Sequence, residues 1–174
     1  MTKNIMIVGV GGQGSLLASK LLGHVLLSQN YDVKVSEVHG MSQRGGSVVT
    51  YVRYGDKVYS PIIDKGQADV IISFEKLEAA RYMNYLKKGG KIVVSDPENL
   101  IEKMKAAGAD IDDMDALSLA MEAGSPKAVN IVLMGRVSRY FPEISEEAWL
   151  ASLEACVPPK FLEMNKKAFM LGRN

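Results

Sequence analysis

A chain of 174 residues with 47% hydrophobic and 24% charged residues fits one globular domain spanning 1–174. Its net charge of +1 is spread along the chain, which argues against a nucleic-acid surface, and no apolar run reaches the ~20 residues that cross a bilayer. One cysteine, Cys156, and two histidines, His24 and His39, exclude a disulfide framework, an iron–sulfur cluster and a zinc site built by this chain alone. With no signal-peptide pattern at Met1-Thr2-Lys3-Asn4, the expectation is a cytoplasmic protein.

The first element is a strand over 4–10, a continuous apolar run of the kind buried on both faces. Gly11-Gly12-Gln13-Gly14 follows, and then Leu16, Leu17, Leu21, Leu22, Val25 and Leu26 recur with helical period over 15–28. A turn at 29–32 leads into a second strand over 33–38, which completes a strand–helix–strand unit. Residues 40–46 form a loop with three glycines, and 47–54 alternate as a strand rich in Val, Thr and Tyr. Gly55-Asp56 has the chemistry of a two-residue turn, which predicts a hairpin partner over 57–60.

Farther on, 68–74 is a buried strand and 75–87 a helix stopped by Gly89-Gly90. Strands follow over 91–95 and 111–114, while 98–110 carry little pattern. The last third is helical: 126–140 opens on a proline, a second helix opens at Ser145-Glu146-Glu147, and a final turn or two spans 160–171 before Gly172. The expected fold class is α/β: a doubly wound, mostly parallel sheet with an inserted antiparallel hairpin and a helical C-terminal third.

Two loops carry the chemistry. Gly9-Val10-Gly11-Gly12-Gln13-Gly14 satisfies G-x-G-x-x-G between a strand and a helix. Two readings stand. Gly9, Gly11, Gly12, Gln13 and Gly14 bind the anionic part of a cofactor through bare backbone N–H groups, or the glycines merely let the helix pack on its strand. Glu37, a little over 20 residues past Gly14, stands where a dinucleotide-binding acid is expected, so a free-standing dinucleotide- or flavin-binding protein is the alternative reading. The second loop, Glu37-Val38-His39-Gly40-Met41-Ser42-Gln43-Arg44-Gly45-Gly46, sets Glu37, His39, Ser42, Gln43 and Arg44 among glycines. Arg44 brings a planar fork suited to carboxylate or phosphate; the plain alternative is a solvated surface loop. Both loops leave strand ends at one rim, where such sheets bind ligands.

His24 falls on the leucine-rich helix and reads as a structural residue, while His39 borders the second loop. Asp96 before Pro97 suits a turn, Trp149 suits a core or interface position, and Cys156 reads as a small buried hydrophobe.

Together the two loops resemble the gamma-type subunit of 2-oxoacid:ferredoxin oxidoreductases, and the His39-Gly40-Met41-Ser42-Gln43 wording is similar to the beta subunit of the indolepyruvate enzyme. The resemblance continues through Val58-Tyr59-Ser60-Pro61, Ala68-Asp69-Val70, Ala128-Val129-Asn130 with Met134-Gly135, and Asn165-Lys166-Lys167-Ala168-Phe169. It implies a subunit of an enzyme that uses thiamine diphosphate, magnesium, iron–sulfur clusters and coenzyme A. That enzyme decarboxylates a 2-oxoacid (pyruvate-like, or an arylpyruvate) to an acyl-coenzyme A and reduces ferredoxin. It further implies that thiamine and clusters sit on partner subunits, that the isolated chain is inactive, and that residues 37–46 face coenzyme A, substrate or partner. The resemblance assigns this chain no catalytic residue and no metal. Self-association as a homodimer without the partner stays open.

Overall fold

A computed structural model describes residues 1–42, 45–95 and 100–174. Its six strands, β1 (Lys3–Val10), β2 (Asp32–His39), β3 (Ser47–Gly55), β4 (Ala68–Ser73), β5 (Leu86–Ser95) and β6 (Asp110–Met114), form one sheet in the order β2-β3-β1-β4-β5-β6. β1, β4, β5 and β6 run parallel, and β3 lies antiparallel between β1 and β2. The α/β class with an inserted antiparallel hairpin therefore holds, but the hairpin is β2–β3 and its turn is the second glycine-rich loop.

Helix α1 (Ser15–Ser28) shares one face of the sheet with α4 (Ala116–Ala123), α5 (Val129–Ser138), α6 (Glu146–Cys156) and α7 (Leu162–Arg173); α2 (Lys76–Tyr82) and α3 (Leu100–Ala106) cover the other. β1 shows why its sequence is apolar throughout. Ile5 and Ile7 enter the first core while Met6 and Val8 enter the second, so neither face meets water. Around Trp149, which is fully buried, Phe141 and Phe169 pack with ring centroids 5.8 and 5.9 Å away. His24 Nδ1 pairs with Ser152 Oγ at 3.0 Å and ties α1 to α6, a structural use of that histidine. Cys156 is buried, and burial pushes its thiol pKa up, as befits a small hydrophobe.

Four local expectations are corrected. Residues 57–60 are loop, because both edges of β3 are already taken by β1 and β2 and no ladder is left to join. This loop is instead held by polar contacts: Asp32 accepts from Val58 N at 2.9 Å, and Arg53 donates to Ser60 O at 2.9 Å. The expected helix over 75–87 stops at Tyr82; a 3-10 turn at 83–85 follows, and β5 begins at Leu86. Gly89-Gly90 thus lies inside a strand, where a Cβ on Gly90 would stand 2.9 Å from the carbonyl oxygens of Ala68 and Asp69. Gly172 lies inside α7, which runs past the expected end at 171, and a Cβ there would collide with the carbonyl of Val132 on α5. Finally, α3 and α4 occupy stretches with no expected helix.

Edge strand β6 is bound to α5 by a polar cluster. Arg136 reaches both carboxylate oxygens of Asp112 at 2.8–3.0 Å, and Tyr140 donates to Asp112 at 2.5 Å. Burial would raise the Asp112 pKa, but the hydrogen bonds from Arg136 and Tyr140 outweigh it and hold the carboxyl below its usual value. No helix among the described residues is long and apolar enough to cross a membrane.

Candidate functional site

The glycine loop divides residue by residue between the two readings. Gln13 folds back over its own loop: its Oε1 accepts from Val10 N at 2.8 Å and its Nε2 donates to Phe74 O at 3.5 Å. A Cβ on Gly9 would stand 2.6 Å from that Oε1, so Gly9 makes room for the strap. Gly14 caps α1 in the left-handed region, φ 83°, and its carbonyl accepts from Asn130 Nδ2 at 3.2 Å; a Cβ would strike that amide. Gly9, Gln13 and Gly14 thus each serve a contact within the fold. Gly11 and Gly12 border open space: nothing lies within 4 Å of a Cβ on Gly12, whose φ is 96°, and only Gly45 N at 4.0 Å of one on Gly11. The first turn of α1 has neither a side-chain cap nor an acid, so its N–H groups are left for another acceptor.

The β2–β3 turn comes to rest on this loop. Strand register puts Val10 opposite Ser47 and His39 opposite Val48, so the C-terminal ends of β1 and β2 meet the start of β3 at one rim. Gly11 N donates to Gly46 O at 3.0 Å and joins the two loops directly. Between them is a cavity of about 500 Å³ lined by Gly11, Gly12, His39, Ser42, Gly45 and Ser47, with Gly40, Gly46 and Val48 completing the wall. Gln43 and Arg44 lie outside the described residues.

Two carboxylates brace the base of the turn. Glu37 accepts from Thr50 Oγ1 at 3.0 Å and Ser15 Oγ at 3.4 Å, and its other oxygen meets His39 Nε2 at 2.7 Å. Glu78 on α2, only 3% exposed, accepts from Ser47 Oγ at 2.5 Å and faces Arg81 Nε at 3.4 Å. This settles the expected place of Glu37 in the dinucleotide reading. A ribose-binding acid sits on the strand beside the glycine strand; here β3 intervenes, and the carboxylate is already held by three side chains.

A larger cleft, about 790 Å³, opens on the other side of Gly12. Its walls include Phe74, Ser95, Asp115 and Lys127, none of which the sequence marked as site residues. Asp115 caps α4, accepting from Ser118 N at 3.0 Å and Ser118 Oγ at 2.6 Å, and these bonds hold its pKa below the usual value. The signal available in sequence was its position just past a strand, the rim where such sheets bind ligands. Asp96, considered for the same reason, lies outside the described residues.

Comparison with known proteins fits this architecture. Residues 4–174 match the family described as pyruvate ferredoxin/flavodoxin oxidoreductase. The indolepyruvate oxidoreductase subunit IorB of Thermococcus kodakarensis is 45% identical, over 97% of this chain and 93% of its own length. The gamma subunit of a keto/oxoacid ferredoxin oxidoreductase from Geobacter sulfurreducens has the same fold, with a TM-score of 0.78 and 24% identity over 98% of this chain and 96% of that one. So has part of the 2-oxoglutarate:ferredoxin oxidoreductase of Magnetococcus marinus, solved with 2-oxoglutarate, coenzyme A and succinyl-CoA. Its TM-score is 0.80 and its identity 22%, over 99% of this chain and 30% of that one. The chain belongs to the pyruvate ferredoxin/flavodoxin oxidoreductase family, as a subunit of a 2-oxoacid:ferredoxin oxidoreductase.

Proposed function

We propose that this chain forms one wall of the entrance to an active centre whose thiamine diphosphate, magnesium and iron–sulfur clusters are carried by partner subunits. The oxoacid is of the arylpyruvate class, the product is an acyl-coenzyme A, and the electrons leave to ferredoxin. The substrate class rests on the IorB relatives, named for indolepyruvate. The assignment of the prosthetic groups to partners rests on the donors present. Cys156 is the one cysteine of the chain and is buried, and among the described residues no three His, Cys, Asp or Glu side chains gather to hold a metal. Thiamine diphosphate, when bound by the partner, supplies the carbanion chemistry that removes carbon dioxide from the oxoacid.

The part played by this chain is binding and orientation. The observation that carries the reading is the Gly11–Gly46 bond, which closes the two glycine-rich loops around one cavity at the strand-end rim. Gly11 and Gly12 bring bare backbone to that cavity, and Ser42 and Gly45 of the braced turn line it as well. Such a wall takes an anionic, multiply hydrogen-bonding group, and in this reaction the phosphates of coenzyme A answer that description. Gln43 and Arg44 belong to the same turn in sequence and are proposed to face the same ligand.

The test is reconstitution. Partner subunits purified with and without this chain are assayed for oxoacid-dependent reduction of a viologen dye, using an arylpyruvate, 2-oxoglutarate and pyruvate in parallel. Turnover that requires the chain and favours the arylpyruvate is expected. Undiminished turnover without the chain would overthrow the proposal.

A further inference from the structure

The two edges of the sheet are finished differently. Edge strand β6 has five residues, and its three acids are each met by a cation: Asp110 by Lys91, Asp112 by Arg136 and Asp113 by Lys105. Charges of this kind keep further strands from adding on. Edge strand β2 has eight residues and no proline, and it pairs with β3 along its whole length without a bulge. Alternate residues of such a strand turn their N–H and C=O groups outward, and among the described residues no strand pairs with that side.

Apolar surface flanks this edge on both faces of the sheet. Register with β3 places Val35 on the face covered by α1 and Val38 on the face covered by α2. Val35 lies against Gly23 of α1, its Cγ2 standing 3.9 Å from the place of a Cβ on that glycine. Leu16 and Leu27, seven positions before Gly23 and four after it, share its stripe of the helix. Met41 follows the end of β2. These five apolar residues are each at least 47% exposed, a strip that the fold itself leaves uncovered. At such exposures they leave roughly 500 Å² per copy, so two copies together bring the ~1,000 Å² at which a specific interface begins.

We infer that a second copy of this chain docks on this edge, the two β2 strands pairing antiparallel about a two-fold axis at Val35. The two sheets then continue as one. Charge selects the register. With the axis at Val35, that residue meets its own copy, Lys34 meets Ser36 and Val33 meets Glu37, so no like charges stand opposite each other. An axis at Lys34 would oppose two lysines, one at Glu37 two carboxylates, and one at Ser36 would set Val35 against Glu37. β2 runs parallel to β1, since both are antiparallel to β3, and α1 returns between them. The same axis therefore sets Leu16 of one copy level with Leu27 of the other. Each copy uses the same patch, the arrangement that closes at two subunits. The inference holds whichever reaction the assembled enzyme performs.

Sedimentation velocity on the full chain at about 1–100 μM tests it, with thermal unfolding to check that each variant is folded. The parent is expected to be a dimer at the upper end of that range. Val35→Glu and Val35→Lys each set like charges on the axis and should weaken self-association about 10-fold or more; an equimolar mixture of the two should restore it. A residue that meets its own copy gives that rescue, and a merely structural one does not. Leu27→Glu, on the helix rather than the strand, should weaken self-association several-fold, whereas Tyr59→Ser, at an exposed position in the loop after β3, should leave it intact. The inference is overturned if the parent sediments as a monomer at ~100 μM, if the folded variants dimerise as the parent does, or if the mixture stays monomeric. Amide exchange at 33–38 that slows only when partner subunits are added would assign the edge to a partner strand and equally overturn it.

Discussion

Alanine placed in turn at Gly9, Gly11 and Gly14 separates the glycines that serve the fold from those that serve a ligand. At Gly14 two costs add. An alanine in the left-handed region loses about 1–2 kcal/mol, and displacing Asn130 forfeits its hydrogen bond to the Gly14 carbonyl, about 1 kcal/mol more. The sum of about 2–3 kcal/mol corresponds to a fall in Tm of roughly 5–10 °C for a chain of this size. At Gly9 the φ is ordinary, but the new methyl displaces Gln13 Oε1 from Val10 N and costs about 1–2 kcal/mol. At Gly11 the φ is also ordinary, and the nearest atom, Gly45 N, lies 4.0 Å away. Restricting the unfolded chain then roughly offsets any local cost, and Tm should stay within about 2 °C of the parent. Thermal unfolding gives the stability order, and steady-state assay of the reconstituted enzyme gives the other half. Gly11→Ala should raise KM for coenzyme A several-fold with kcat nearly unchanged. If Gly11→Ala unfolds the chain as Gly14→Ala does, or leaves KM unmoved, the division of the loop is wrong.

Three further outcomes are expected. Asp112→Asn should cost about 2–3 kcal/mol at neutral pH, because the Arg136 fork and the Tyr140 hydroxyl lose a charged acceptor. Its folded pKa is depressed, so its stabilising effect is complete above the unfolded value and is lost as pH falls through the folded one. Urea titrations should therefore show the gap between parent and variant closing below about pH 4, and a gap that widened toward acid would contradict the assignment. Glu78→Gln should stay within about 1 kcal/mol of the parent, since the amide oxygen still accepts from Ser47 and a buried charge is removed; Glu78→Ala should cost about 2 kcal/mol. Faster amide exchange at 45–50 in the alanine variant alone would bear this out, and equal exchange in both would count against it. Gly172→Ala should cost about 3 kcal/mol or more by forcing α7 off the Val132 carbonyl, read as a Tm loss near 10 °C; a loss under 2 °C would mean that the helices part easily.

Much of this architecture was legible in the chain because its signals are local. The apolar run of β1, the leucine period of α1 and the Ser145 cap each depend on neighbours a few residues away, and each appears where expected. Misreadings gathered where pairing is long-range. Gly55-Asp56 has true turn chemistry, yet turn chemistry cannot show that β3 has no free edge. Gly89-Gly90 resembles a helix stop, but the reason for Gly90 is the backbone of β4 pressing from the next strand. Gly172 is the same case between helices: its partner, the Val132 carbonyl, is 40 positions away in sequence. The candidate site follows this pattern. Both glycine-rich loops stood out by composition, whereas Ser95, Asp115 and Lys127 are ordinary residues that only the fold brings to one cleft.

The antiparallel insertion of β3 accounts for much of how the rim differs from a dinucleotide site. In a doubly wound sheet, the strand after the first crossover lies beside the glycine strand and presents its end residue to the ribose. Here β3 takes that position and runs the opposite way, so a hairpin turn stands at the rim where the acid would have been. Glu37 braces that turn, through His39 on its own strand, Thr50 on β3 and Ser15 at the head of α1. The base of the turn is thus held from both sides, by Glu37 and by Glu78. A base fixed in this way suits the wall proposed above, since each bond made within the subunit is disorder that docking need not remove.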